Sequence, residues 1–285
     1  TGTVTRWESS PVADFSSGVV LISNTTNSLD AIDLTSTTYY RALITNGSCT
    51  AYSSVGSVIV NQPTVGGSIS GGTNVCITGN STTLTLSGHT GSILRWEAAS
   101  DVSFTNPQII NNTGTTYTAA GLTASTYFQA ILYNKGCGDP VPSNYALITV
   151  DPAVNGGAAS GGTNVCVTSN STVLSVSGQT AGSTLRWQVS TDSITYTNLA
   201  ATTVNYTASN ITAKRFFRVN VTKFSCSAFS TPTTITVDPA SVGGSVGGGT
   251  TVCKSGSTTT LTLTGKTGNV VKWQYYTDAT SLTDT

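Results

Sequence analysis

The alternation of apolar and polar residues has period two almost everywhere along the chain. In "STTLTLSG", from Ser81, Leu84 and Leu86 alternate with threonine, the pattern of a half-buried strand. "SILRWEA", from Ser92, then sets Leu94 and Trp96 on one face and Arg95 on the other. Gly, Asn and Pro punctuate the later runs, "TTYTAAG", "STYFQAILY" and "YALITV". No window sustains the i, i+3, i+4, i+7 apolar pattern of a helix.

The same succession returns about every ninety residues. A glycine-rich opening ends in cysteine at Cys76, Cys166 and Cys253, and a cation and a tryptophan come after it at Arg6-Trp7, Arg95-Trp96, Arg186-Trp187 and Lys272-Trp273. An aromatic pair then leads to a second cysteine at Cys49, Cys137 and Cys226, before a closing strand such as "LITVDP" or "TITVDP". About seven short strands per repeat, with one tryptophan on the third, predict an all-β array of immunoglobulin-like sandwiches with strands A, B, C, a short C′ or D, E, F and G. The expected boundaries are a partial module at 1–62 starting near strand C, whole modules at 63–152 and 153–239, and a partial module at 240–285 ending after strand C. Trp7, Trp96, Trp187 and Trp273 are the expected core tryptophans.

Charged residues make up 8% of the 285, against roughly 25% in ordinary soluble domains, so solubility rests on Thr, Ser and Asn. Twelve basic and twelve acidic side chains without a basic cluster offer nothing to a run of phosphates, so nucleic acid is not expected as a partner. No apolar stretch approaches the ~18 residues of a membrane span. No CxxC spacing occurs and His89 is the one histidine, so no metal site, cofactor or catalytic residue is expected. Regularly spaced cysteines in a charge-poor repetitive chain indicate disulfides and an oxidising exterior.

The cysteines do not occupy the B and F positions of an antibody domain. The first of each module lies ahead of strand B, and the second lies at the end of strand F or in the F–G turn. If Cys76 opens strand A, both sulfurs sit at the pole where the chain arrives, and "GGTNVC" is a flexible hinge into an anchored strand. Two pairings account for six cysteines. Bonds across linkers would join Cys49 to Cys76, Cys137 to Cys166 and Cys226 to Cys253. Strand G, however, must carry the chain roughly 30 Å between the two sulfurs of each such pair, and a disulfide needs Cα atoms within about 7 Å. The expected bonds are therefore Cys76–Cys137 and Cys166–Cys226, with the partners of Cys49 and Cys253 outside this sequence. Stapled in this way, a module under tension would yield only the segment between Cys137 and Cys166.

Other repeated residues have plain readings. The cation before each tryptophan is expected to face outward, paired or solvated. Asp101, Asp192 and Asp278 each fall five residues after the tryptophan, where an Asx turn is expected in preference to a calcium site, which needs six or more oxygens.

The "GGTNVC" opening, the "LRW" strand, the "GC" or "SC" after strand F and the "ITVDP" ending resemble the immunoglobulin-like repeats of very large surface proteins of gliding and other Bacteroidetes, exported by the type IX secretion system. The resemblance implies an extracellular, cell-surface filament or adhesin, with a role in gliding or surface attachment. Asp192-Ser193-Ile194 resembles the motif on which Bacteroidetes attach O-linked glycans, which makes Ser193 a candidate modification site. The expected function is a structural stalk that projects an adhesive tip. The alternatives are that the modules themselves bind polysaccharide or surface ligands, or that they are accessory repeats of a secreted hydrolase. Expected partners are neighbouring modules, surface polysaccharide and other filament chains.

Overall fold

The computed structural model describes residues 2–275 and 283–284. The chain divides into two compact units, Thr1–Pro152 and Ala153–Thr285. Every regular element among the described residues is a strand.

In the first unit, β1 (Thr3–Ser10) lies between β2 (Val20–Ile22) and β3 (Thr38–Asn46), and β3 also carries β4 (Cys49–Tyr52) and β5 (Gly56–Val58). The next repeat has β6 (Ser68–Ser70), β7 (Asn74–Cys76), β8 (Ser81–Ser87), β9 (Ser92–Ala99), β10 (Gln108–Ile110), β11 (Thr116–Ala120), β12 (Thr126–Tyr133), β13 (Val141–Pro142) and β14 (Ala146–Asp151). One of its sheets runs β11-β8-β6 and the other β10-β9-β12-β14-β7, with β13 on β12. This is the two-sheet immunoglobulin-like sandwich, with β6 and β7 as A and A′, β8 as B, β9 as C, β11 as E, β12 as F and β13–β14 as G.

The second unit repeats the plan with β15 (Ala158–Ser160), β16 (Asn164–Cys166), β17 (Ser171–Ser177), β18 (Thr184–Ser190), β19 (Thr197–Asn198), β20 (Asn205–Ser209), β21 (Arg215–Lys223), β22 (Cys226–Phe229) and β23 (Thr233–Asp238). Its sheets run β15-β17-β20 and β16-β23-β21-β18-β19, with β22 on β21. Beyond it, β24 (Ser245–Gly247) pairs with β25 (Thr262–Thr264), and β26 (Gln274–Tyr275) pairs with β27 (Thr283–Asp284).

The alternating pattern buries what it promised. Leu84, Trp96, Leu132 and Ile148 are fully buried in one core, as are Leu174, Trp187, Val219 and Ile235 in the next. The tryptophan stacks on the tyrosine of strand E and that on the phenylalanine of strand F, with centroids 5.9 and 5.7 Å apart at Trp96–Tyr117–Phe128 and 5.8 and 6.0 Å at Trp187–Tyr206–Phe217. Both spacings favour tilted aromatic contacts. Each buried indole N–H is satisfied, Trp96 by the carbonyl of Gly114 at 3.0 Å and Trp187 by that of Thr203 at 2.9 Å.

Trp7 is only half-buried and Trp273 is 42% exposed. These two expected core positions depart from Trp96 and Trp187: among the described residues no A-B-E sheet accompanies Trp7, and the last repeat has only the short β24–β25 pair of that sheet. Leu94 also departs from its expected face. A bulge between Ile131 and Leu132 pairing shifts the register, so Ile93 turns inward and Leu94 is 41% exposed.

The glycines of "GGTNVC" are not a hinge between modules. They lie inside the sandwich, where the first strand leaves one sheet for the other: β6 pairs antiparallel with β8, and after Gly71 and Gly72 the chain continues as β7, parallel to β14. A Cβ on Gly71 would stand 2.3 Å from the Thr83 carbonyl oxygen, and one on Gly72 2.7 Å from that of Leu147. Gly71 also has φ +97°, a conformation that L side chains rarely adopt. The third repeat crosses in the same way at Gly161 and Gly162, with its A′ strand on β23.

Replacing Gly161 with Ala is expected to cost more than about 1 kcal/mol, which lowers the melting temperature of a domain this size by roughly 4–8 °C per kcal/mol. Thermal unfolding of the variant checks it; an unchanged melting temperature would contradict a close-packed crossing.

Candidate functional site

The crossing decides where the first cysteine of each repeat lies. Because β7 runs parallel to β14, Cys76 ends up opposite Asp151, the last residue of strand G, at the pole where the chain leaves the sandwich. Asn80 fixes it there. Its side-chain amide donates to the carbonyls of Cys76 at 2.9 Å and Leu122 at 2.8 Å, and its Oδ1 accepts from the Leu122 N–H at 2.8 Å. Cys166 is placed identically, opposite Asp238, and Asn170 donates to Cys166 and Ile211 at 2.8 Å each. Each sulfur also has a hydroxyl neighbour, Thr78 at 3.2 Å from Cys76 and Thr168 at 3.3 Å from Cys166. The Thr168 side chain, and then its backbone N–H, hold the Cys166 thiol below its ordinary pKa.

The second cysteine lies at the other pole. Cys137, in the turn after β12, donates through Sγ to the carbonyl of Asn61 at 3.3 Å, in the segment that brings the chain into the repeat. Asn134 fastens the same segment, its backbone N–H donating to Thr64 at 3.0 Å and its side chain to the Gln62 carbonyl at 2.8 Å. Val65 and Thr90 exchange backbone bonds at 3.1 and 3.0 Å beside them. In the third repeat Cys226 starts β22 opposite Lys223, whose ammonium donates to the Ala181 carbonyl at 2.8 Å. There the arriving Asn155 accepts from the Thr180 N–H at 3.0 Å.

The two sulfurs of one repeat therefore face opposite poles. About ten residues of extended chain at roughly 3.3 Å each put some 30 Å between Val65 and Cys76, far beyond disulfide reach. This corrects the expected Cys76–Cys137 and Cys166–Cys226 bonds: Cys137 and Cys166 carry free thiols, as do Cys49 and Cys253. Cys76 and Cys226 are disulfide-bonded. The expectation failed because it placed Cys76 at the start of strand A, whereas it closes A′.

The outer face of the C–F sheet holds a second recurring cluster. Glu8 on β1 is 2% exposed and accepts from Arg6 at 2.7 Å and from Arg41 on β3 at 2.8 Å. The Arg41 guanidinium is stacked between the rings of Phe15 and Tyr52, 4.0 and 3.8 Å from their centroids. Burial works against ionisation of Glu8, yet the hydrogen bonds and charges of Arg6 and Arg41 prevail and hold its carboxyl below the usual range. In the third repeat Arg218 takes the place of Arg41, stacked between Tyr196 and Phe229 at 3.9 and 3.7 Å and donating to Gln188 at 2.8 Å. The second repeat uses Gln129, which donates to Glu97 at 2.8 Å while Arg95 bridges the same carboxylate at 2.7 Å. Arg95 is thus paired, as expected, and Arg186 is exposed. Sequence reasoning missed this clasp. Its signal is the Arg-x-Glu or Arg-x-Gln of strand C together with the residue after the aromatic pair of strand F.

The aspartates after strand C close turns. Asp101 accepts from the Ser103 N–H at 2.9 Å. Asp192 accepts from the N–H groups of Ile194 and Thr195 at 2.9 and 2.8 Å and from the Ser190 hydroxyl at 2.8 Å. Those bonds, the Ile194 N–H first, lower the Asp192 pKa to about 2. Ser193 sits exposed in this turn with φ 63°, and Ile194 is 82% exposed. Asp278 lies outside the described residues. Among the described residues no three His, Cys, Asp or Glu side chains come together as a metal site, and no helix is long and apolar enough to cross a membrane.

A family model described as a domain of unknown function, DUF8696, matches residues 1–62, 65–152 and 155–239. No curated protein matches the chain. Among solved structures, the FN1–FN3 domains of chicken CNTN1 are 13% identical with TM-score 0.37, covering 83% of this chain and 89% of that one. The fibronectin(III)-like modules of Clostridium thermocellum CbhA are 14% identical with TM-score 0.37, covering 59% and 92%. A marsupial T cell receptor is 16% identical with TM-score 0.41, covering 64% and 77%. No enzymatic family is indicated.

Two outcomes are expected. Arg41→Ala leaves the Glu8 carboxylate buried with one of its two cations, a loss of about 1–3 kcal/mol in urea unfolding; Arg41→Lys, which cannot stack or fork as guanidinium does, recovers only part of it. The Asp192 carboxyl carbon should titrate with a midpoint near 2 by NMR. Its pKa is lower folded than unfolded, so the stability it lends is complete above the ordinary carboxylate range and is lost as pH falls toward 2.

Proposed function

The chain belongs to the DUF8696 family, in three matched copies in tandem, and we propose that it serves as a structural stalk segment of an extracellular, cell-surface adhesin or filament. The observation that supports this reading most is the design of the single repeat. Its chain arrives at one pole and leaves at the other, and its core is complete within the sandwich. A repeat of this kind sets a distance between its neighbours in the chain. The pairing of cysteines supports an oxidising location, and the exposed, ordered turn at Ser193 is accessible to a glycan.

Role and location are tested together on the full chain. Glycan arrays and surface-adsorption assays are expected to show no saturable binding. Saturable binding that survives Arg186→Ala but is lost when other outer-face residues are replaced would make the modules themselves the adhesive and overturn the spacer reading.

A further inference from the structure

The clasp on the outer face of the C–F sheet is not balanced in charge in the same way in each repeat. In the first, the Glu8 carboxylate stands directly across from Arg41 and accepts hydrogen bonds from both Arg41 and Arg6. In the second, Glu97 stands across from Gln129 and is bridged by Arg95. In the third, both guanidinium groups are kept, as Arg186 and Arg218, but the acid between them is replaced by Gln188.

The members of that third patch share one face of two paired strands. Arg186 and Gln188 are two residues apart on β18, and Arg218 stands across from Gln188 on β21. Gln188 is 9% exposed and its amide is committed at both ends, the oxygen accepting from Arg218 Nε at 2.8 Å and the nitrogen donating to Asn198 at 2.8 Å. The rings of Tyr196 and Phe229 stack the Arg218 guanidinium between them, so the rest of its planar fork is already oriented when a partner arrives. Arg186 is exposed, and among the described residues neither guanidinium has a carboxylate partner.

We infer that this patch of the third repeat binds a carboxylate side chain of a partner polypeptide, seated where Glu8 is seated in the first repeat. The complementarity is one of charge: two cations and no acid, in a chain with only 8% charged residues. The molecule itself indicates the occupant, because the group held between the corresponding two cations of the first repeat is a glutamate on an extended strand. Hydrogen bonds between guanidinium and carboxylate are roughly twice as strong as neutral ones, so an incoming acid gains what the Gln188 amide cannot supply.

The patch lies within one repeat and the inference is independent of the stalk reading, since a spacer can still be joined sideways to another chain. The full chain is titrated calorimetrically at low ionic strength with an oligoglutamate peptide, an oligoglutamine peptide and polygalacturonate, a glycan that carries the same charged group. Saturable binding of oligoglutamate alone is expected, weakening as added salt screens it. Arg186→Ala, a change at an exposed side chain, is expected to weaken it about tenfold or more, the loss of one charge-assisted bond. Gln188→Glu, which restores the internal acid of the first two repeats, is expected to abolish it. No binding of oligoglutamate, equal binding of oligoglutamine, or binding that either variant leaves unchanged would overturn the inference alone. Polygalacturonate that binds as well as the peptide or better would overturn it together with the spacer reading.

Discussion

The passage of the first strand from one sheet to the other is the constraint on which the rest of each repeat depends. At Gly71 and Gly72 the backbone runs so close to the carbonyls of Thr83 and Leu147 that no side chain fits. Beyond them the strand has one free partner, the open edge of β14, and it takes that edge in parallel. The pairing closes the edge of the larger sheet, ties the two sheets through one continuous segment and carries Cys76 the length of the sandwich. The Asn80 clamp, whose partners are Cys76 and Leu122, holds the end of that run.

A protein with 8% charged residues cannot scatter ion pairs over its surface. Two of its charged clusters each hold several parts of the chain. Glu8 joins β1 to β3 through Arg41, whose guanidinium also pins the rings of Phe15 and Tyr52. Asp192 organises a turn through two backbone N–H groups and a hydroxyl. Isolated surface pairs contribute little to stability; a buried carboxylate with two guanidinium partners, or a turn carboxylate with three donors, specifies geometry. The remaining surface is left to threonine, serine and asparagine.

Much of this was legible in the residues, and the limits are physical. Period-two alternation tells which side chains turn inward, so Leu84, Trp96 and Trp187 are readable as core from the residues alone. The same period is silent on which sheet a strand joins and on whether a neighbour runs parallel to it, and both were needed to place Cys76. "GG" was ambiguous for a related reason: close backbone approach and flexibility both call for glycine, and only the packed carbonyls distinguish them. A single extra residue at Leu94 was enough to reverse the expected face. The guanidinium clasp was hidden because its members stand on four separated segments, and their relation shows only when the repeats are laid over one another.

The parallel pairing of β7 with β14 has one more consequence. The strand of the first runs on from the arrival pole and the strand of the second ends at the exit pole, so a pull on the two ends drives these neighbours past one another along their length. The hydrogen bonds between Asn74–Cys76 and Thr149–Asp151 lie across that direction. They are strained in shear, all at once, instead of being peeled open singly from one end. A short parallel patch at the seam between the first and last strands therefore gives the sandwich a mechanical threshold that its hydrogen-bond count alone would not suggest.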